Sequence, residues 1–346
     1  MTPSSLDSFA AALPIPVLLI DPSERIAAAN PPALRLLGGA QVGRHYIAAL
    51  RQPALLDAVE ACLRDGTGGR ARYLGREGSR DTAWTVTAGA VALPRGRGVA
   101  LSFEDITAVE EAEAMRRDFV ANVSHELRTP ITALSGFIET LRGPARDDAA
   151  ARERFLSIMQ RETERLSRLV SDLLSLGRVE QAERLRPTAA VDLSALVAQV
   201  AAVLEPVAAR DRVVIRADLP DDPVTVPGDE EQLRQVLTNL LGNAIKYGGA
   251  DREVTLTLGA PDRHRELRGP GVRLDVADQG DGIAAHHIPR LTERFYRVDA
   301  HRSRAVGGTG LGLAIVKHIV NRHRGRLRIE SVPGQGSRFS VILPAD

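Results

Sequence analysis

Between Phe119 and Leu141, apolar residues recur at three- and four-residue intervals on both sides of a proline. Phe119, Val123 and Leu127 precede it and Ile131, Leu134, Ile138 and Leu141 follow. That period belongs to an amphipathic helix. Pro130 has no amide hydrogen, so the helix is expected to bend one turn beyond His125. A second stripe, Leu166, Leu169, Leu173 and Leu176, has the three-four-three spacing of a coiled coil. The turn residues Arg142-Gly-Pro-Ala-Arg-Asp-Asp148 separate the two stripes, so the chain should double back as a helical hairpin, with Gly177 and the polar run to Pro187 ending its second helix. Two helices cannot cover both stripes between themselves. Pairing with a second copy buries them in an antiparallel four-helix bundle, and a homodimer is therefore expected.

The proline belongs to Ser124-His-Glu-Leu-Arg-Thr-Pro130, which sets His125 directly beside the carboxylate of Glu126. Alone, such a pair is an ordinary solvated surface feature. Three boxes downstream give it weight. Asn239-Leu-Leu-Gly-Asn243-Ala-Ile-Lys246-Tyr247 lies on a helix whose apolar side holds Leu233, Val236, Leu237, Leu240 and Leu241. Asn239, Asn243 and Lys246, spaced four and three apart, share one face. Two amides and an ammonium there suit a magnesium-bound phosphate chain, since magnesium takes oxygen ligands. Asp278-Gln-Gly280-Asp-Gly282-Ile follows the strand Val272–Ala277. A carboxylate at a strand end can accept from an exocyclic amine, and the glycines let a flat ring approach the backbone. Gly307-Gly308-Thr309-Gly310-Leu311-Gly312-Leu313 runs straight into an apolar helix, which turns backbone amides toward an anion. This last box has neither the Lys-Ser/Thr ending of a P-loop nor the acid of a dinucleotide-binding βαβ unit. Any one box is a common packing device. Their order and their spacings of about 35 and 30 residues are not.

From about residue 110 to 346 the chain resembles the bacterial sensor histidine kinases of two-component systems. The resemblance implies autophosphorylation of His125 from Mg-ATP and relay of the phosphoryl group to an aspartate of a response regulator. The cofactors implied are ATP and Mg2+, with Asn239, Asn243, Lys246 and Tyr247 as binding residues and Asn243 as the magnesium ligand. It gives Asp278 the adenine amine, with Gly280 and Gly282 shaping the pocket. Phe295 stands in the aromatic box Glu293-Arg-Phe-Tyr-Arg297, a nucleotide lid runs from about 298 to 306, and Gly308, Thr309, Gly310, Leu311 and Gly312 form the final glycine box. An imidazole nitrogen has a lone pair near neutral pH, and Glu126 is expected to accept the other ring proton as charge develops. Thr129, four residues after His125 on the same helix face, implies a second activity as phosphatase of the regulator. ATPases of the chaperone, gyrase and mismatch-repair kind are similar but carry a glutamate one turn before the metal-binding Asn. Here that position is Asn239, so transfer to histidine is the better reading. The domain order is similar to that of phosphate-regulon sensor kinases, which implies phosphate-starvation signalling.

The rest of the 346-residue chain fits a multidomain α+β protein. Pro16–Asp21 and Arg25–Ala29 read as strands, Asn30-Pro-Pro opens a helix, and Gly69–Leu74, Thr82–Ala88 and Gly98–Phe103 read as three antiparallel strands. Residues 1–107 thus resemble a PAS sensor domain, with Glu104-Asp-Ile-Thr107 as its exit. His45 is a lone histidine there, more in keeping with a structural role than with haem ligation. A signalling helix over 108–118 would feed a phosphotransfer hairpin over 119–184, followed by an α/β sandwich over 187–346 of the histidine kinase and chaperone ATPase superfamily. A net charge of +1 with scattered arginines gives no reason to expect direct nucleic acid binding, and Cys62, the only cysteine, fits a reducing cytosol. The longest apolar candidate, Ala12–Ile20, is interrupted by two prolines and too short to span a bilayer, so the expected protein is cytoplasmic, with an anchor upstream of Met1 left open. No receiver-like acidic cluster is evident, so the regulator should act in trans.

Overall fold

Asn30 closes the first hairpin and opens the first helix. Its side-chain oxygen accepts from the amides of Val17 and Ala33 at 2.9 and 3.0 Å. Prolines then occupy the helix start, where a missing amide hydrogen is harmless. The computed structural model describes residues 11–182, 185–299 and 308–345, and the chain divides into two units between Ala121 and Asn122.

The first unit runs β1 (Val17–Ile20), β2 (Ile26–Ala29), α1 (Pro31–Leu36), α2 (Tyr46–Leu50), α3 (Pro53–Asp65), β3 (Gly69–Glu77), β4 (Arg80–Leu93) and β5 (Gly96–Asp105). The antiparallel sheet has the order β2-β1-β5-β4-β3. Val99, Leu101 and Phe103 of β5 all turn inward, the two-residue alternation of a half-buried strand, and meet Leu18, Ile20, Leu55, Val59 and Cys62 in one core. Burial pushes the Cys62 thiol up. His45 is structural: its ring accepts the Ile47 amide at the start of α2 and reaches Glu24 at 3.0 Å. The unit ends by anchoring a new helix. Asp105 accepts from the Thr107 amide and hydroxyl, Arg72 meets both oxygens of Glu110 at 2.8 and 2.6 Å, and Arg80 holds Glu111 at 2.9 Å.

That helix, α4, spans Thr107–Arg142 without interruption at Pro130. With α5 (Ala149–Ala182) it forms the expected hairpin, and Phe137 and Phe155 meet across it with ring centres 5.4 Å apart. The second helix does not stop at Gly177. Leu176 and Val179 on either side of the glycine are buried and α5 packs on a later helix, α8, so tertiary burial outweighs the glycine's helix penalty of about 1 kcal/mol.

The remainder comprises β6 (Ala189–Asp192), α6 (Leu193–Arg210), β7 (Val213–Asp218), β8 (Thr225–Gly228), α7 (Glu230–Gly248), β9 (Arg252–Leu258), β10 (Asp262–His264), β11 (Gly269–Asp278), a 3-10 turn at Ile288–Arg290, α8 (Gly312–Arg322), β12 (Arg326–Val332) and β13 (Gly336–Pro344). The main sheet has the order β12-β13-β11-β9-β7, with β7 and β9 parallel and β10 paired to β11. Helix α7 packs between α6 and α8 and covers β9 and β11, giving the two-layer α/β sandwich. The apolar-run expectation needs correcting. Leu193–Arg210, not Ala12–Ile20, is the one described helix long and apolar enough to cross a membrane. Its Leu193, Leu196, Val197, Val200 and Ala208 are buried, and its valines and leucines, with the alanines between them, raise its hydropathy.

Candidate active site

Helix α7 starts at Asp229, whose carboxylate accepts the Gln232 amide at 3.2 Å. Eight of its nineteen residues are buried, including Leu233, Leu237, Leu240 and Leu241, which leaves Asn239, Asn243, Lys246 and Tyr247 half-buried on the remaining side. Asn239 Nδ2 donates to the Gly312 carbonyl at 3.3 Å and so ties the asparagine box to the glycine box. The Asn243 amide is committed to no protein partner among the described residues, which leaves its oxygen available to a metal ion. Burial pushes the Lys246 ammonium below the usual lysine value, Arg168 adds to that, and Asp172 opposes it.

Asp278 ends β11, opposite Val254 on β9 and Ser337 on β13. Burial raises its carboxyl, against the pull of the Gly280 and Ser337 amides, the first of which donates at 2.8 Å. The two glycines after it have a different reason from the one expected. A Cβ on Gly280 would stand 2.1 Å from the Tyr247 carbonyl oxygen, and one on Gly282, at φ +67°, would stand 2.1 Å from that of Val332. What approaches these positions closely is the protein's own backbone. One of the two contacts joins the second box to the first at Tyr247.

Gly310 adopts φ +74° and its carbonyl accepts the Phe295 amide at 2.8 Å, so the aromatic box rests on the glycine box. Leu311 is fully buried at the start of α8, Gly308 and Gly312 are half-buried, and no side chain among the described residues caps that helix. Thr309 Oγ1 accepts the Leu311 amide at 3.3 Å and donates to Asp172 of α5 at 2.7 Å. Gly307 and most of the expected lid, residues 300–306, lie outside the described residues.

On the hairpin, His125 is exposed on α4. Glu126, one residue on, is not turned to the imidazole as expected. Its Oε2 accepts from Arg165 of α5 at 2.8 Å and from Arg297, the last residue of the aromatic box, at 3.2 Å. Neighbouring residues on a helix point about 100° apart, so the two arginines capture the acid from the side. The Thr129 hydroxyl donates back to the His125 carbonyl at 3.1 Å. The structure thus gathers the Asn, Asp, aromatic and glycine boxes at one end of the sandwich, and it brings Glu126 to Arg297 beside them.

Residue patterns did not single out Arg165, Arg168 or Asp172. A signal for Asp172 existed: it lies three residues after Leu169 and four before Leu176, a carboxylate on the face that α5 buries. Other histidines have structural partners. His323 is buried, accepts the Asp229 amide at 3.0 Å and donates to the Ile319 carbonyl at 2.8 Å. His318 approaches Glu180 at 3.5 Å, and His287 meets the Tyr296 hydroxyl at 2.6 Å.

A histidine-bearing helical hairpin joined to an α/β sandwich with a half-buried Asn, Asp and glycine-box site defines a class of phosphotransfer protein. Residues 115–182 match the His Kinase A (phospho-acceptor) domain, and residues 228–346 match the histidine kinase-, DNA gyrase B-, and HSP90-like ATPases. The chain belongs to the histidine kinase family. It is 42% identical over 236 residues to the phosphate regulon sensor protein PhoR of Pseudomonas aeruginosa, covering 68% of this chain and 52% of that protein. It is also 42% identical over 232 residues to the sensor-like histidine kinase SenX3 of Mycolicibacterium smegmatis, covering 67% and 58%. The chain therefore spans little more than half the length of these relatives. In fold alone it is similar to the histidine kinase ThkA, solved in complex with the response regulator protein TrrA, with a TM-score of 0.52, 21% identity and 98% of each chain covered.

Proposed function

We propose that the protein is a sensor histidine kinase that phosphorylates His125 from Mg-ATP and passes the phosphoryl group to an aspartate on a separate response regulator. The observation that carries this reading is the joining of an exposed histidine hairpin to one site where the Asn239, Asp278, Phe295 and Gly310 boxes touch one another. Mg-ATP supplies the phosphoryl group. Asn243 would hold magnesium, Lys246 and the uncapped amides of α8 would take the phosphate chain, and the desolvated Asp278 carboxylate would accept the adenine amine. Most of the rate comes from positioning and from neutralising charge at these fixed groups. Glu126 takes the second ring proton of His125 once Arg165 and Arg297 release it.

The expected domains remain part of this proposal: a PAS-like sensor over 1–107, a signalling helix over 108–118, a phosphotransfer hairpin over 119–184 and an ATP-binding sandwich over 187–346. The regulator as partner is supported by the complex in which ThkA was solved, and a role in phosphate-starvation signalling by the likeness to PhoR. The homodimer is supported by apolar side chains that the hairpin leaves exposed. Incubation with γ-labelled ATP tests the core of the reading. The expected result is an acid-labile, base-stable label on the protein, lost in His125→Gln while nucleotide affinity stays within about twofold of wild type, because the nucleotide contacts lie on α7, β11 and α8. Free phosphate without protein label points to an ATPase instead. A labelled His125→Gln protein removes His125 as the acceptor.

A further inference from the structure

Asp172 lies among the groups that the reading above assigns to the phosphate chain. It projects from α5 between the buried Leu169 and Leu176 and receives the Thr309 hydroxyl hydrogen at 2.7 Å. The same hydroxyl oxygen takes the Leu311 amide, so one side chain links Asp172 to the start of α8. Burial raises the Asp172 carboxyl, while Thr309, Lys246 and Arg168 all favour its ionised form. The first turn of α8 has no side-chain cap of its own. A hydroxyl, an ammonium and a helix start, each suited to an anion, are thus gathered near one carboxylate that belongs to this chain.

We propose that Asp172 is an internal competitor of the nucleotide phosphates, holding the hairpin on the nucleotide-free site and giving way when a triphosphate binds. Thr309 has a single hydroxyl hydrogen and can give it to Asp172 or to a phosphate oxygen, not to both. The Lys246 charge favours the Asp172 carboxylate in the empty site, and a carboxylate left among phosphate oxygens repels them. Release of Asp172 removes the Thr309 tether between α5 and the sandwich, so nucleotide binding and hairpin docking oppose each other through this residue. The inference rests on the ATP-site reading.

Calorimetric titration of the full chain with Mg-ATP and, separately, with adenosine tests it. Asp172→Asn keeps the size of the side chain and an oxygen that can accept from Thr309, but removes the charge. It should bind Mg-ATP about three- to tenfold more tightly than wild type. Adenosine, which has no phosphates, should bind both proteins equally. Should Asp172→Asn not fold, the smaller and neutral Asp172→Ser carries the same expectation. Unchanged or weaker Mg-ATP binding overturns the proposal, and so does an equal gain for adenosine, which would mark a general loosening. A wild-type protein that binds neither ligand removes the ATP-site reading itself, an outcome distinct from a failure confined to Asp172.

Discussion

Helices α5 and α7 belong to the same unit and both have a strong apolar side, yet they end in opposite situations. Of the nineteen residues of α7, eight are buried, because α6, α8 and the sheet close around it. Of the thirty-four residues of α5, only Leu169, Leu176 and Val179 are buried, and these lie in the half that meets α8. Val170 and Leu174 stay 46% and 60% exposed, and on the facing helix Ile131 and Ile138 are 52% and 45% exposed. The sandwich completes its core within one chain, whereas the hairpin leaves apolar side chains exposed, the stripe that the proposed homodimer would cover. An apolar stripe therefore identifies a helix without saying how many chains are needed to bury it.

The sharpest way to break this comparison is to charge each core in turn. Leu174→Glu combined with Ile138→Asp should weaken the dimer about a hundredfold or more, since burying each apolar side chain is worth about 1.5–3 kcal/mol. Sedimentation should then find monomers while the sandwich melts as before. Ile315→Asp, at a fully buried position of α8, should instead unfold the sandwich. If the double variant remains dimeric, the hairpin stripe is not the dimer surface.

A smaller effect is expected from pH in the sandwich. His323 accepts the Asp229 amide on one ring nitrogen and donates from the other, an arrangement open only to the neutral ring. Burial, its largest influence, holds its pKa below the usual 6.5. The unfolded chain then takes up the proton more readily, so this contribution is complete above the unfolded value and is lost as pH falls from there toward the folded one. The slope is at most about 1.4 kcal/mol per pH unit for one proton. Chemical denaturation of wild type and His323→Asn between pH 7.5 and 5 checks this: the wild type should lose stability faster than the variant on acidification. Parallel curves would show that His323 does not carry the dependence.

The smallest change in structure should come from Thr129→Ala on the exposed face of α4. The lost bond to the His125 carbonyl is solvent-exposed, so stability should move by less than about 0.5 kcal/mol. His125 labelling should persist, while decay of the phosphorylated regulator in the presence of ADP slows. Equal loss of both activities would reduce Thr129 to a supporting role for the helix at Pro130.

Periodicity and punctuation made most of the elements legible in advance. The alternation of Val99, Leu101 and Phe103, the Asn30-Pro-Pro helix start and the two hairpin stripes each rest on local chemistry that is the same in any fold. The boxes were legible for the same reason, since Asn239, Asn243 and Lys246 fall on one side of a helix by spacing alone. Spacing did not reveal what each residue faces. Gly177 reads as a helix stop until α8 buries Leu176 and Val179 around it, and Leu193–Arg210 is an apolar helix whose place in the sandwich is fixed by α7 and β7.

The sequence by itself determined the helix or strand character of the strongly periodic segments and the residue types available for phosphoryl transfer, because these follow from short-range periodicity and from side-chain chemistry. Only the tertiary structure decided that Glu126 is shared by Arg165 and Arg297, that Gly280 is required by the Tyr247 carbonyl, and that Asp172 meets Thr309. Those partners are separated by 39, 171 and 137 positions for the hydrogen-bonded pairs. Local propensity cannot specify such meetings. They arise from the packing of α5 against α8 and from the register of β11 between its neighbours, which place in contact groups that no periodic pattern connects.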